Sequence, residues 1–239
     1  MEVENLRTTA FPEHELSFQV QRGEILGISG VVGAGRTEML QAIFGSVPKS
    51  AGTVRVSGVE ISGQTPVDVI AAGIALVPED RKLHGLVVDM TVRQNMRLPG
   101  LRQNRVGQAF INFGVEDSIT TEMIARLGIK TPHEDQVARY LSGGNQQKVV
   151  LGKWLSLQPS VLLLDEPTRG IDVGAKQEIY QLMEELASKG MAIVFVSSEL
   201  EEILGMSDRV LVMHEGCISG ELAREELSEE AIMHLATSS

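Results

Sequence analysis

Two linked stretches constrain this chain most: Leu141-Ser142-Gly143-Gly144-Asn145-Gln146-Gln147-Lys148 and, shortly after, Val161-Leu162-Leu163-Leu164-Asp165-Glu166-Pro167. Two glycines after a serine let the backbone come very close to whatever it faces. Gln146 to Leu157 is a good helix-forming run with apolar residues at helical spacing, which predicts a helix beginning just after the glycines. The amides of such a helix start suit an anion such as a phosphate. Val161 to Leu164 reads as a buried strand. The two carboxylates that end it stand where open α/β sheets bind ligands, at the carboxyl end of a strand. Ser-Gly-Gly alone is most often just a loop; its place ahead of this strand gives it weight.

A second motif lies earlier. Gly30-Val31-Val32-Gly33-Ala34-Gly35-Arg36-Thr37 has the spacing of a phosphate-binding loop: glycine, four residues, glycine, a cation and a hydroxyl. A strand pattern precedes it, and a helical pattern of Met39, Leu40, Ile43 and Phe44 follows. Its glycines let successive N–H groups point at phosphate oxygens, and Thr37 would place its hydroxyl on Mg²⁺. The competing reading is a glycine-rich turn that binds nothing. Arg36 stands where lysine is usual. A guanidinium is longer, planar and forked, so the exchange is not conservative at a tight site. It predicts weakened nucleotide binding, carried by backbone amides, and poor hydrolysis at this loop.

The 239 residues suffice for one α/β domain with a subdomain. A formal charge of −11 argues against a nucleic-acid surface, which needs clustered Lys and Arg. The single cysteine, Cys217, excludes an intramolecular disulfide and suits a reducing compartment. No apolar run approaches the roughly 20 residues of a membrane helix. Met1 to Thr9 is charged and polar, unlike a signal peptide. These features predict a soluble domain whose membrane role comes through a partner chain.

Other elements follow from pattern. Leu16 to Val20 and Glu24 to Ile28 read as strands, and Thr53 to Ile61 as a hairpin about Ser57-Gly58. Thr65-Pro66-Val67-Asp68 opens a helix that Gly73 ends, and Ile74 to Val77 is a strand. From Leu83 to Tyr140 the pattern turns helical, with helices expected near Met90 to Leu98 and Val115 to Leu127. Asn104 to Gly114 reads as a mobile loop. Met90, Met96 and Met123 are either core filling or part of a partner-facing surface. Trp154 is expected to anchor a core. Glu178 to Ala187 reads as an amphipathic helix, Met191 to Val196 as a buried strand, and the chain ends in a helix from Ser228. His14, His84, His133 and His214 show no metal-like spacing.

Together these motifs resemble the ABC-type ATPases, with Leu141 to Lys148 as signature loop and Val161 to Glu166 as Walker B strand. The resemblance implies an α/β P-loop NTPase fold: a RecA-like core with an antiparallel β subdomain over residues 1–82 and 155–239, and a helical subdomain over 83–154 that meets a transmembrane partner. It implies ATP and Mg²⁺ as ligands. Gly30, Val31, Val32, Gly33, Ala34, Gly35, Arg36, Thr37 and Glu38 would line the phosphates. Asp165 would hold Mg²⁺ with Thr37, and Glu166 would be the general base for the attacking water. Glu79 occupies the place of the family's Q-loop glutamine, a Mg²⁺ contact; a solvated charged loop is the plainer reading of Glu79 to Lys82. Asp172 matches the D-loop aspartate. Ser198 stands where the family usually has a histidine bonded to the γ-phosphate, and a serine is too short for that reach. Phe11 either stacks on adenine or packs in the core.

Such domains work as head-to-tail pairs, each ATP lying between one domain's phosphate loop and the other's signature loop. Arg36, Glu79 and Ser198 would all face the γ-phosphate end of this domain's own site and make it slow. Ser142, Gly143 and Gly144 would complete the partner's site. That combination resembles the C-terminal half of the tandem ATP-binding subunits of bacterial sugar importers for ribose, galactose or xylose. It implies a fragment whose partners are the N-terminal ATPase half, transmembrane permease subunits and, indirectly, a periplasmic sugar-binding protein, at the cytoplasmic face of the inner membrane. The competing readings are a catalytically inert nucleotide-binding interaction module and a non-transport ABC ATPase. The latter needs a coiled-coil insertion or basic extensions, and neither is present.

Overall fold

The fold is that of a computed structural model, which describes residues 1–63, 65–102, 105–106, 110–111 and 113–237, with side chains described outside 102–116. In chain order the first half holds β1 (Glu2–Thr8), β2 (Leu16–Gln19), β3 (Ile25–Gly30), α1 (Arg36–Phe44), β4 (Lys49–Val56), β5 (Val59–Glu60), α2 (Pro66–Ala71), β6 (Ile74–Val77), α3 (Val92–Arg97), β7 (Arg105–Val106), β8 (Phe110–Ile111) and α4 (Phe113–Arg126). The second half holds α5 (Gly143–Leu155), β9 (Val161–Asp165), α6 (Val173–Ser188), β10 (Ala192–Val196), α7 (Leu200–Met206), β11 (Arg209–His214), β12 (Cys217–Ala223) and α8 (Glu229–Thr237). The chain divides into two compact units: Met1–Leu76 with Ser160–Glu166 and Met183–Ser239, and Val77–Pro159 with Pro167–Leu182.

The first unit is built on a sheet of order β12-β11-β3-β10-β9-β6. Strands β11, β3, β10 and β9 run parallel, and β12 closes one edge antiparallel to β11. β9 and β10 are buried at every residue, which is why they read as unbroken apolar runs rather than alternating ones. In a separate four-stranded sheet, β2-β1-β4-β5, the pairings β1–β2, β1–β4 and β4–β5 are antiparallel. Ser57 and Gly58 both have positive φ, 52° and 78°, as a two-residue turn with the right twist requires. Thr65 caps α2 in a reciprocal box with Asp68, and Pro66 takes the first helical position. β1 goes beyond the sequence reading: its Val3 and Leu6 are buried although the segment is polar, because an irregularity at Asn5 (φ 49°) breaks the simple alternation.

The second unit is mainly helical. Met96 and Met123 are 2% and 4% exposed, so both fill the core, while Met90 is half-buried. Gly152 of α5 is the point where three helices close: a Cβ there would lie 2.9 Å from Met96 and 3.0 Å from Leu127. Trp154 is only half-buried, not the deep anchor expected. The stretch expected as a loop, Asn104 to Gly114, falls partly outside the described residues; its described part holds the paired β7 and β8 and the start of α4. α5 begins at Gly143 rather than after the glycines, because Ser142 is its N-cap. α6 begins at Val173, before the Glu178 expected from periodicity, with the Asp172 carboxylate accepting from the Ala175 N–H at 3.0 Å.

Candidate functional site

Three adjacent strands, β3, β10 and β9, end on the same side of the sheet, and each continues into a candidate segment. From β3 comes the glycine-rich loop. Gly30, Gly33 and Gly35 have φ of 151°, 82° and 95°, and a Cβ on Gly30 would lie 2.3 Å from the Met213 carbonyl oxygen. The loop therefore needs glycine at these places. Gly35 is the N-cap of α1 and supplies no side-chain bond, so the first amides of α1 have no capping oxygen. That is the arrangement that accepts an anion. Ala34 is buried beneath the loop, whereas Val31 and Val32 are exposed.

From β9 come Asp165 and Glu166. Thr37 donates to Asp165 Oδ1 at 3.2 Å. Asp165 is 2% exposed, and burial pushes its carboxyl up to about 6, against the opposing effect of the Thr37 bond. A hydroxyl and a carboxylate side by side fit Mg²⁺, which takes one or two carboxylates along with phosphate and water oxygens. Glu166 has φ 47°, a left-handed conformation rare for a side-chain-bearing residue, and its N–H bonds the Val196 carbonyl at 3.0 Å. Strain of this kind gathers at functional sites.

From β10 come Ser197 and Ser198. Ser198 Oγ donates to Glu166 Oε2 at 3.1 Å. The other carboxylate oxygen, Oε1, faces Arg36 Nη1 at 4.0 Å, with both side chains 10% exposed. The same Nη1 donates to the Ser197 carbonyl at 2.9 Å. Arg36 and Ser198 thus meet on Glu166. Sequence reasoning missed Ser197, because a main-chain acceptor leaves no residue-type signal.

Glu79 and the Ser142-Gly143-Gly144 turn lie in the second unit. Glu79 forms an ion pair with Arg169. Ser142 is exposed and its Oγ accepts from Asn145 Nδ2 at 2.8 Å. A Cβ on Gly144 would lie 2.5 Å from Ala175 Cβ, and one on Gly143 would lie 2.8 Å from Arg81 Nη2. Both glycines are closely approached from within the chain, Gly144 by a helix-borne Cβ and Gly143 by a side-chain tip. In the first unit, the Phe11 ring lies against Gly35 and Gly216, where added Cβ atoms would come within 2.9 Å and 2.3 Å of it. Phe11 is therefore a half-buried wall beside the phosphate loop, packed on two glycines. Among the described residues no group of three or more His, Cys, Asp or Glu side chains could hold a metal.

A glycine-rich loop between strand and helix, with acids ending a parallel strand of the same sheet, defines a P-loop NTPase. The chain matches the ABC transporter family over residues 14–169 and belongs to it. It is 50% identical over 222 residues to the ribose import ATP-binding protein RbsA of Bacillus cereus, a match covering 93% of this chain and 45% of that protein. The RbsA protein of Bacillus licheniformis is 53% identical over the same length and share. This chain spans about half the length of the curated relatives it matches. A nucleotide-free ATP-binding cassette from an ABC transporter has the same fold, with a TM-score of 0.82 at 22% identity over the full length of both chains.

Proposed function

We propose that this chain is an ATPase domain of a bacterial sugar importer, with ribose the sugar its relatives' names suggest, and that its own nucleotide site is slow. In this reading its Ser142-Gly143-Gly144 turn completes the active site of a partner ATPase domain. The observation that carries the slow-site reading is the placement of Arg36. Its guanidinium is engaged by the Ser197 carbonyl and faces Glu166, the carboxylate that would deprotonate the attacking water. With one Glu166 oxygen bonded by the Ser198 hydroxyl and the other facing the guanidinium, the carboxylate is already engaged on both sides. ATP would bind through the amides of Gly33 to Thr37. Thr37 and Asp165 would hold Mg²⁺, which supplies charge neutralisation at the phosphates. Glu79 would contact Mg²⁺ with them, and Glu38 would line the nucleotide loop.

The relatives' double length supports a tandem subunit in which an N-terminal ATPase half is the partner. Permease subunits and a periplasmic sugar-binding protein complete the assembly, with this domain at the cytoplasmic membrane face. No helix among the described residues is long and apolar enough to cross a membrane, so contact with the bilayer would run through the permease. The test is turnover by the purified domain. The expected result is weak ATP-Mg binding and little hydrolysis. Robust turnover abolished by Glu166→Gln would overturn the slow-site reading.

A further inference from the structure

Arg81, which the sequence reading left within the charged stretch Glu79 to Lys82, lies against the signature loop. It sits on a single wide turn, Arg81–Gly85. Its Nη1 donates to the Arg169 carbonyl at 3.0 Å and its Nη2 to the Gly170 carbonyl at 3.3 Å. The same Nη2 occupies the space a Gly143 Cβ would need, with the Gly170 oxygen 3.2 Å from that point. The guanidinium is thus bonded at both prongs to backbone carbonyls.

The turn that carries it is itself fixed. Asp80 Oδ1 accepts from the Lys82 and Leu83 N–H groups at 2.8 Å and 3.0 Å. Lys153, buried on α5, donates to the Gly85 carbonyl, and a Cβ on Gly85 would meet Val150 of α5 at 2.9 Å. The start and the middle of α5 are therefore both tied to residues 81–85. On the far side of the loop Asn145 joins Ser142 Oγ to the Lys130 N–H, at 2.8 Å each. Ser142 alone is left facing solvent.

We infer that Arg81 is a positioning residue: it braces Gly143 against the Arg169-Gly170 turn, so that Ser142 and the following amides are presented preformed to a partner's nucleotide. The inference rests on the reading that this loop closes a partner's site. Two carbonyls held at fork spacing match a guanidinium, whereas a lysine ammonium would reach one of them.

The experiment is ATP titration of the turnover of the assembled importer, with Arg81→Lys, Arg81→Ala, Gly143→Ala, the Arg81→Ala/Gly143→Ala pair and Ser142→Ala introduced in this domain. The expected result for Arg81→Lys is a kcat about 10-fold lower with KM for ATP within about twofold, since the phosphate-gripping amides are untouched. Gly143→Ala should lose a similar factor by displacing the guanidinium. The double variant should then lose no more than Arg81→Ala alone, to within about twofold, because both changes break one contact. Multiplicative losses in the double variant would overturn the inference, showing two independent structural effects. So would an unchanged kcat in Arg81→Lys while Ser142→Ala abolishes turnover; in that case the completed-site reading survives and Arg81 has no part in it. If Ser142→Ala leaves turnover intact, the reading beneath falls and the inference with it. Should Arg81→Ala fail to fold, Arg81→Lys and Gly143→Ala still decide the matter through the kcat–KM split.

Discussion

Arg36 and Ser197, 161 positions apart in the chain, are joined by a 2.9 Å hydrogen bond from the guanidinium to the main-chain carbonyl. The bond ties the start of α1 to the end of β10 and keeps the cation in front of Glu166. A residue that would otherwise serve a phosphate is thereby committed to internal structure. Arg36→Lys removes the reach to Ser197 and leaves a compact ammonium in the loop. The expected outcome is ATP affinity higher by about 10-fold in the isolated domain, roughly 1.4 kcal/mol. Calorimetric titration with ATP-Mg checks it; unchanged or weaker binding would show that Arg36 does not limit the site.

If Asp165 holds Mg²⁺ as proposed, nucleotide binding should depend on pH. Burial raises its carboxyl from 3.8 to about 6. Between those values the folded domain holds a proton that the unfolded chain has released. Stability of the nucleotide-free domain therefore falls as pH rises through that window, and the carboxylate must ionise before it can hold Mg²⁺. At pH near 6, ATP-Mg binding should release about half a proton, read from calorimetry in buffers of different ionisation enthalpy. Affinity should weaken progressively below that pH. Zero release would mean that Asp165 is already ionised or not engaged.

Gly144→Ala tests whether the signature glycines serve packing before they serve a ligand. The added Cβ would meet Ala175 at 2.5 Å. Overpacking of this kind costs about 1–3 kcal/mol. Urea unfolding without nucleotide should show that loss. A variant as stable as the parent would place the whole need for Gly144 in ligand contact.

Much of the site was legible because it rests on residue types in fixed spacing. The loop Gly30 to Thr37 and the strand Val161 to Asp165 stand where the sequence put them, since glycine conformations and unbroken apolar runs are local properties. What escaped depends on local backbone geometry that periodicity does not show, or on contacts distant in sequence. β1 hid its burial behind an irregularity at Asn5, and α5 took its glycines inside the helix because Ser142 supplies the cap. The close neighbours of Gly143 and Gly144 are Arg81 and Ala175, which periodicity cannot bring near them. Arg36 was legible as a departure, but not its bond to Ser197, since any residue offers a carbonyl.

Asn95 gives a stability prediction apart from nucleotide. It is 0% exposed, and its amide group donates to the Val87 and Thr91 carbonyls at 3.0 Å each while accepting from the Val87 N–H at 2.8 Å. It holds the bend between residues 87 and 91 to α3. Asn95→Leu keeps the branched skeleton, with bulkier methyl ends, but strands these groups, at a cost of about 2–3 kcal/mol by urea unfolding. A loss below about 0.5 kcal/mol would mean that water replaces the side chain without penalty.

The most direct measurement compares Ser142→Ala with Glu166→Gln, each made in this domain, by steady-state ATP turnover of the pair assembled with its partner ATPase half. If this domain's own site is slow and its signature loop completes the partner's, Ser142→Ala lowers turnover by at least about 10-fold and Glu166→Gln by less than about twofold. The reverse pattern, turnover lost with Glu166→Gln and kept with Ser142→Ala, would contradict it.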